Sequence, residues 1–216
     1  MNKQKTLAQI EATKVVAVVR LQEVALFEPV ALALYEGGVR AIEITMTVPG
    51  ALAALEKAIS NLPSEIIIGV GSVLNEKTTE RAVNAGAQFI VSPVTKKEIL
   101  DACETAKVAV MPGAFTPTEI QRAWEWGADI VKVFPADILG VKFFKGLKAP
   151  MPHLKLMPTG GVSLKNAADW IQAGACAVGV GGALLDKEAL RDRNFEQIKK
   201  NAERLISNLK TINQYG

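Results

Sequence analysis

An α/β fold closed as a single (β/α)8 barrel of the TIM type, with one extra N-terminal helix, is what the sequence predicts, and three observations predict it. Short apolar runs alternate with amphipathic stretches along all 216 residues, the pattern of parallel strands joined by crossover helices. The same joint recurs, a helical stretch, a glycine, a small or branched residue and then a strand, at Gly38-Val39, Gly86-Ala87, Gly127-Ala128 and Gly174-Ala175. Eight such units would take roughly 27 residues each, which a lean barrel can accommodate. A doubly wound open sheet is the main rival. It expects a glycine-rich dinucleotide loop after the first strand, where this chain reads A-V-V-R-L-Q-E. One domain over residues 1–216 is therefore expected.

The elements follow in order. A short amphipathic helix carrying Leu7 and Ile10 precedes a first strand at Val15 to Val19, closed by Arg20. A helix runs to Tyr35, Gly37-Gly38 ends it, and Val39 to Thr45 forms the second strand with Glu43 in its middle. The next helix begins near Pro49 and reaches about Asn61, leading into a third strand at Ile66 to Val73. A further helix ends at Gly86, Phe89 to Pro93 is the fourth strand, and Thr95 with Glu98 reads as a capping box. Val108 to Met111 is the fifth strand, and T-P-T-E at Thr116 to Glu119 offers a cap, a first-turn proline and a reaching glutamate. The sixth strand lies in Ala128 to Ala136, after which Asp137 is expected to cap a helix through Lys148. Leu154 to Pro158 and Cys176 to Val180 are the last strands, with a helix between them that Gly174 stops, and an amphipathic helix from about Asn194 to Leu209 closes the chain.

Composition narrows the function classes. With 49% hydrophobic and 22% charged residues the chain can build a large core and is not a disordered one. A net charge of +3, without a basic block, gives no expectation of a nucleic-acid partner but leaves room for a small anionic ligand. The N-terminus lacks the apolar core of a signal peptide and no run is long enough to span a bilayer, so a cytoplasmic location without a membrane partner is expected. Cys103 and Cys176 have neither disulfide nor metal spacing, and His153 is the single histidine, so no metal site and no cofactor are expected. Trp124, Trp126 and Trp170 fall on helices and are read as packing core or subunit contacts.

Two charges stand out. In A-D-I-V-K-V-F-P-A, Lys132 shares a strand face with Ile130 and Phe134, while Val131 and Val133 point the other way. A lysine guarding an edge strand would be the bland reading. Burial would instead lower its pKa and leave a nucleophilic amine suited to Schiff-base chemistry. Glu43 repeats the situation between Ile42 and Ile44, and a carboxylate in an apolar wall suits proton shuttling. In a barrel, residues at the C-terminal strand ends converge on one mouth, which would collect Arg20, Glu43, Ser72, Pro93, Lys132, Phe134 and Thr159. Gly160-Gly161 and Gly181-Gly182 follow the seventh and eighth strands, where barrels often hold phosphate.

The runs A-I-E-I-T, G-V-G-S-V, F-I-V-S-P, M-P-G-A-F-T-P-T-E, V-K-V-F-P-A and M-P-T-G-G-V, in this order, closely resemble the class I 2-keto-3-deoxy-6-phosphogluconate (KDPG) aldolases, also described as 4-hydroxy-2-oxoglutarate aldolases. The resemblance implies a homotrimeric barrel that cleaves a small phosphorylated keto acid to pyruvate and glyceraldehyde 3-phosphate without a metal. It makes Lys132 the Schiff-base lysine and Glu43 the general acid and base, and lines the pyruvate pocket with Thr159, Phe134 and Pro93. Ser72 stands where many members have threonine. The chain departs from some members at Thr47, where they carry an arginine for the substrate carboxylate, and Arg20 is expected to supply that cation. It departs again at Gly182, where some relatives have a phosphate-binding serine, so a non-phosphorylated keto acid or the C4 epimer of the galactonate type stays open. A phosphosugar isomerase or epimerase, which needs paired acid and base groups or a metal, and a ligand-binding barrel without catalysis are the alternatives.

Overall fold

The computed structural model describes residues 2–210; residue 1 and residues 211–216, part of the expected domain, lie outside the described residues. Nine parallel strands form two curled sheets in a barrel-like α/β fold. The strands are β1 (Val15–Val19), β2 (Ala41–Thr45), β3 (Ile67–Gly71), β4 (Phe89–Val91), β5 (Ala109–Met111), β6 (Gly113–Ala114), β7 (Val131–Val133), β8 (Leu156–Pro158) and β9 (Val178–Val180). One sheet has the order β5-β4-β3-β2-β1-β9 and the other β6-β7-β8. The expected fifth strand is β5, paired with β4, and beyond Pro112 a further two-residue strand, β6, pairs with β7. Hydrogen bonds also cross between the sheets, from Asp129 N to Val110 O, Lys132 N to Pro112 O and Cys176 N to Leu156 O.

Helices α1 (Lys3–Thr13), α2 (Phe27–Glu36), α3 (Ala51–Asn61), α4 (Glu76–Asn84), α5 (Lys97–Ala106), α6 (Pro117–Glu125), α7 (Ala136–Lys148), α8 (Ala167–Gln172), α9 (Lys187–Arg191) and α10 (Phe195–Lys210) complete the order, with a 3-10 turn at Val24–Leu26. All four glycine joints adopt the left-handed backbone that only glycine takes freely, with φ of 98°, 94°, 95° and 101° at Gly38, Gly86, Gly127 and Gly174. In each, the N–H after the glycine returns five residues, as from Val39 N to Leu34 O and Ala175 N to Trp170 O, which closes the helix and launches the strand.

Strand parity sorts the apolar residues into two cores. Val15, Ala17, Val19, Ile42, Ile44, Ile68, Val70, Val131 and Val133 face outward and pack with the helices. Val16, Ala41, Ile67, Phe89, Val91, Met111, Ile130 and Met157 face inward, joined by Ile10 from α1. The helix α1 thus covers the N-terminal end of the strands, held there by Lys3 to Glu104 and Asp129, by Gln9 Nε2 to Glu65 O and by Lys155 to Glu11.

Several local expectations need correction. Thr95 does not cap α5: that helix starts at Lys97 with Lys96 before it, and Thr95 Oγ1 instead donates to Gly113 O at 2.9 Å, tying the β4 loop to β6. Asp137 does not cap α7, because the helix already begins at Ala136 behind Pro135, and it breaks at Gly140 with φ 72° and ψ 169°. Pro49 precedes α3, which opens on Gly50 at φ 79°. Of the core or subunit contacts expected for the tryptophans, Trp126, 37% exposed at the end of α6, makes no core one, whereas Trp170 is buried against Phe144. The Thr116 to Glu119 capping box forms as expected, and α9 is an additional helix. Among the described residues no helix is long and apolar enough to cross a membrane.

Because Ile10 is fully buried in the inner core, Ile10→Ala should lower the unfolding free energy by roughly 2–4 kcal/mol. Urea denaturation checks this, and an unchanged midpoint would show that α1 merely rests on the barrel end.

Candidate active site

The alternation of β7 turns Lys132 inward between the packed outward valines, and the residue is only 6% exposed. Its Nζ lies 4.9 Å from the centre of the Phe134 ring, near enough for a cation–π contact whenever the amine is protonated. On β2, Glu43 is 1% exposed, and Gly71 of the adjoining strand leaves room for it, since a Cβ there would run into the carboxylate. At the end of β8, Thr159 pairs with Gly179, and again the missing side chain makes the space for its hydroxyl. Glu43 Oε2 and Thr159 Oγ1 are both buried without a hydrogen-bond partner in the protein. Buried polar atoms are normally paired, so these two are available to a bound molecule or water.

Burial dominates the electrostatics. Loss of water drives the Glu43 carboxyl above the usual carboxylate range, against smaller opposing pulls from Lys132 and Arg20. Loss of water likewise holds the Lys132 amine below the ordinary lysine range; the charge of Glu43 raises it in part, and Arg20 lowers it further. Lys132 and Glu43 make no direct ion pair among the described contacts, so each feels the other at a distance.

A cavity of about 590 Å³ opens at the C-terminal strand ends; Lys132 and Glu43 are not among its lining residues, and Phe134, whose ring centre lies 4.9 Å from Lys132 Nζ, connects the lysine to its wall. Arg20, Phe134, Thr159, Gly160, Gly161, Gly181 and Gly182 all line it, so seven expected site residues meet at one mouth. Pro93 instead borders an adjoining cavity of about 290 Å³, which shares the Phe134 wall. Ser72 follows β3 half-buried with φ of 60°, a backbone conformation unusual for a residue with a side chain. Thr47 is exposed, and its hydroxyl lies 2.7 Å from that of Thr45. Neither Ser72 nor Thr47 lines the main cavity. A cavity of about 450 Å³ at the opposite end, beneath α1 and α3, gathers none of these residues.

Three groups escaped the sequence reading. Thr45 is buried on the inward face two residues after Glu43, which the same parity rule would have found. Asp186 and Lys187 also line the cavity, where D-K-E after an apolar pair signals the start of a helix. The helix starts beyond both glycine pairs have backbone donors already in use: Ser163 Oγ accepts from Lys165 N and Asn166 N, and Asp186 Oδ1 accepts from Glu188 N and Ala189 N. Among the described residues no three His, Cys, Asp or Glu side chains gather as a metal-binding group.

The family described as KDPG and KHG aldolase matches residues 7–201. The chain belongs to the KDPG and KHG aldolase family. The 2-dehydro-3-deoxy-phosphogluconate aldolase of Treponema pallidum is 33% identical over 190 residues, 88% of this chain and 90% of that protein. A probable 2-dehydro-3-deoxy-6-phosphogalactonate aldolase of Rhizobium meliloti is 36% identical over 158 residues, 73% of this chain and 74% of the relative. The solved KDPG aldolase of Legionella pneumophila, described with pyruvate captured at low pH as a covalent carbinolamine intermediate, matches with a TM-score of 0.86. It is 29% identical and covers 92% of this chain and 97% of its own. Family members are named aldolases, which are carbon–carbon lyases.

The inverse pKa shifts have opposite consequences for stability. As pH rises above 4.5 the unfolded chain loses a Glu43 proton that the native chain keeps, so this group makes stability fall up to its raised native value. Between its depressed native value and 10.5, Lys132 has lost a proton that the unfolded chain still holds, so stability rises there. Thermal unfolding followed across pH should show Glu43→Gln lacking the first slope and Lys132→Met lacking the second. Slopes identical to the parent in both variants would contradict the burial argument.

Proposed function

We propose that this chain is a class I aldolase that cleaves 2-keto-3-deoxy-6-phosphogluconate to pyruvate and glyceraldehyde 3-phosphate, with 4-hydroxy-2-oxoglutarate as a second substrate giving pyruvate and glyoxylate. The observation that carries this reading is the lysine amine kept dry inside the strand ring beside an unpartnered buried carboxyl. The neutral Lys132 amine attacks the C2 carbonyl and forms a carbinolamine. Glu43, whose carboxyl burial pushes above the usual carboxylate range, gives a proton to the departing hydroxyl, so water leaves and a protonated imine remains. The Glu43 carboxylate then takes the C4 hydroxyl proton, directly or through water. The C3–C4 bond breaks, its electron pair moves into the imine as an enamine, and the aldehyde departs. Proton return to C3 and addition of water to the imine release pyruvate and restore the amine.

The remaining residues act as binders in this reading. Arg20, coupled by charge to both Glu43 and Lys132, pairs with the substrate carboxylate in place of the arginine that Thr47 replaces. Thr159 offers its orphaned hydroxyl to the pyruvyl oxygens, Phe134 and Pro93 wall the methyl side, and Ser72 and Thr47 supply hydroxyls at the rim. Gly160, Gly161, Gly181 and Gly182 let the phosphate approach the backbone closely. We further infer that the two sheets close into one (β/α)8 ring, with β5 and β6 as halves of a single strand and α1 as an extra helix, forming a single domain. The family resemblance supports a homotrimer working in the cytoplasm. The galactonate-type epimer is the second reading, favoured by the identity to the Rhizobium meliloti relative.

Borohydride reduction in the presence of pyruvate should leave a pyruvate-sized adduct on the peptide carrying Lys132, detected by mass spectrometry, and none in Lys132→Met. An isomerase or a binding barrel would give no adduct. Glu43→Gln should lower kcat by roughly 10²–10⁴-fold, the usual scale for a lost acid–base group. Arg20→Ala should weaken pyruvate capture, and unchanged apparent affinity would remove Arg20 from the carboxylate site.

A further inference from the structure

We infer that Lys187 is the residue that holds the substrate's terminal phosphate, a specificity role resting on the aldolase reading above. The outer end of the main cavity is bounded by the two glycine pairs and by the segment Leu185 to Lys187. An anion arriving there meets an unfavourable setting. Asp186 stands in the cavity wall, and Asp137 packs against Gly160 and Gly161. The helix starts that would ordinarily receive a phosphate are occupied, α9 by the Asp186 carboxylate and the turn before α8 by Ser163 and Asn166. Gly182 contributes no side chain, and the space a Cβ would take there is open.

The cavity wall carries two cationic side chains, Arg20 and Lys187. Arg20 acts electrostatically on both Glu43 and Lys132, and in the aldolase reading it pairs with the substrate carboxylate. Lys187 is exposed, makes no ion pair among the described residues, and stands on the first turn of α9 at the side where the glycines leave space. A flexible ammonium with three donors suits a phosphate as a point charge, without the fixed geometry an arginine would impose. Because the group is solvent-exposed, its contribution depends on salt.

Calorimetric titration with glycerol 3-phosphate, an unreactive phosphate monoester, separates this role from catalysis. Lys187→Ala should weaken binding by roughly tenfold or more at low ionic strength, the scale of a lost charge-assisted hydrogen bond. Lys187→Arg should restore most of it, and the affinity of the parent should fall more steeply with salt than that of Lys187→Ala. Adduct formation with pyruvate, which has no phosphate, is the reference and should be equal in all three proteins. Equal binding of glycerol 3-phosphate to parent and Lys187→Ala would overturn the assignment. So would no binding to the parent, or parallel loss of phosphate binding and pyruvate adduct in the variant. If the parent forms no pyruvate adduct, it is the aldolase reading that fails, while the titration still reports on Lys187.

Discussion

The structure depends on keeping an amine and a carboxyl away from water on the inward face of two curled sheets without letting them neutralise each other. A direct buried pair would hold both groups charged, and the lysine would be a poor nucleophile. Held apart, each responds first to desolvation, which favours the uncharged form of both. Desolvation pushes the amine toward its neutral form and the carboxyl toward its acid form, the directions that imine formation favours, and both arise from one physical cause.

The rest of the fold makes that arrangement tolerable. The outward core of valines, isoleucines and helix side chains supplies the burial that stabilises the chain, so the inward face can carry costly groups. Inward space is created by missing side chains: Gly69 accommodates the Phe89 ring, Gly71 the Glu43 carboxyl and Gly179 the Thr159 hydroxyl. Below this layer the inner apolar residues and Ile10 fill the space between the curled sheets, leaving the polar groups the C-terminal strand ends to face. Any enlargement at Gly71 would therefore act on chemistry before it acted on the outer core.

Much of this was legible in the chain. Parity alone located Lys132 and Glu43 inside, because a single charge between outward β-branched residues has one face to occupy. The glycine joints were equally plain, since a helix closing into a strand needs a left-handed residue at that point. Other features depended on tertiary choices that local pattern does not record. Thr95 could have accepted from a backbone N–H at the helix start, but its hydroxyl instead donates to the Gly113 carbonyl across the strands. Pro112 has no N–H to give and stands between β5 and the additional strand β6, yet its carbonyl still accepts from Lys132 N at 2.9 Å. Cavity membership, which separates Arg20 and Lys187 from Ser72 and Thr47, is a property of three-dimensional convergence and has no sequence signal.

The central claim is that the Lys132 amine is neutral at working pH because it is dry. Carbon-13 labelling of the lysine ε-carbons and NMR titration, with Lys132→Met used to assign the resonance, measures this directly. The account predicts a Lys132 midpoint below 10.5 that falls further in Glu43→Gln and rises in Arg20→Ala, following the signs of the two neighbouring charges. A midpoint at the ordinary lysine value, unmoved by either substitution, would contradict it.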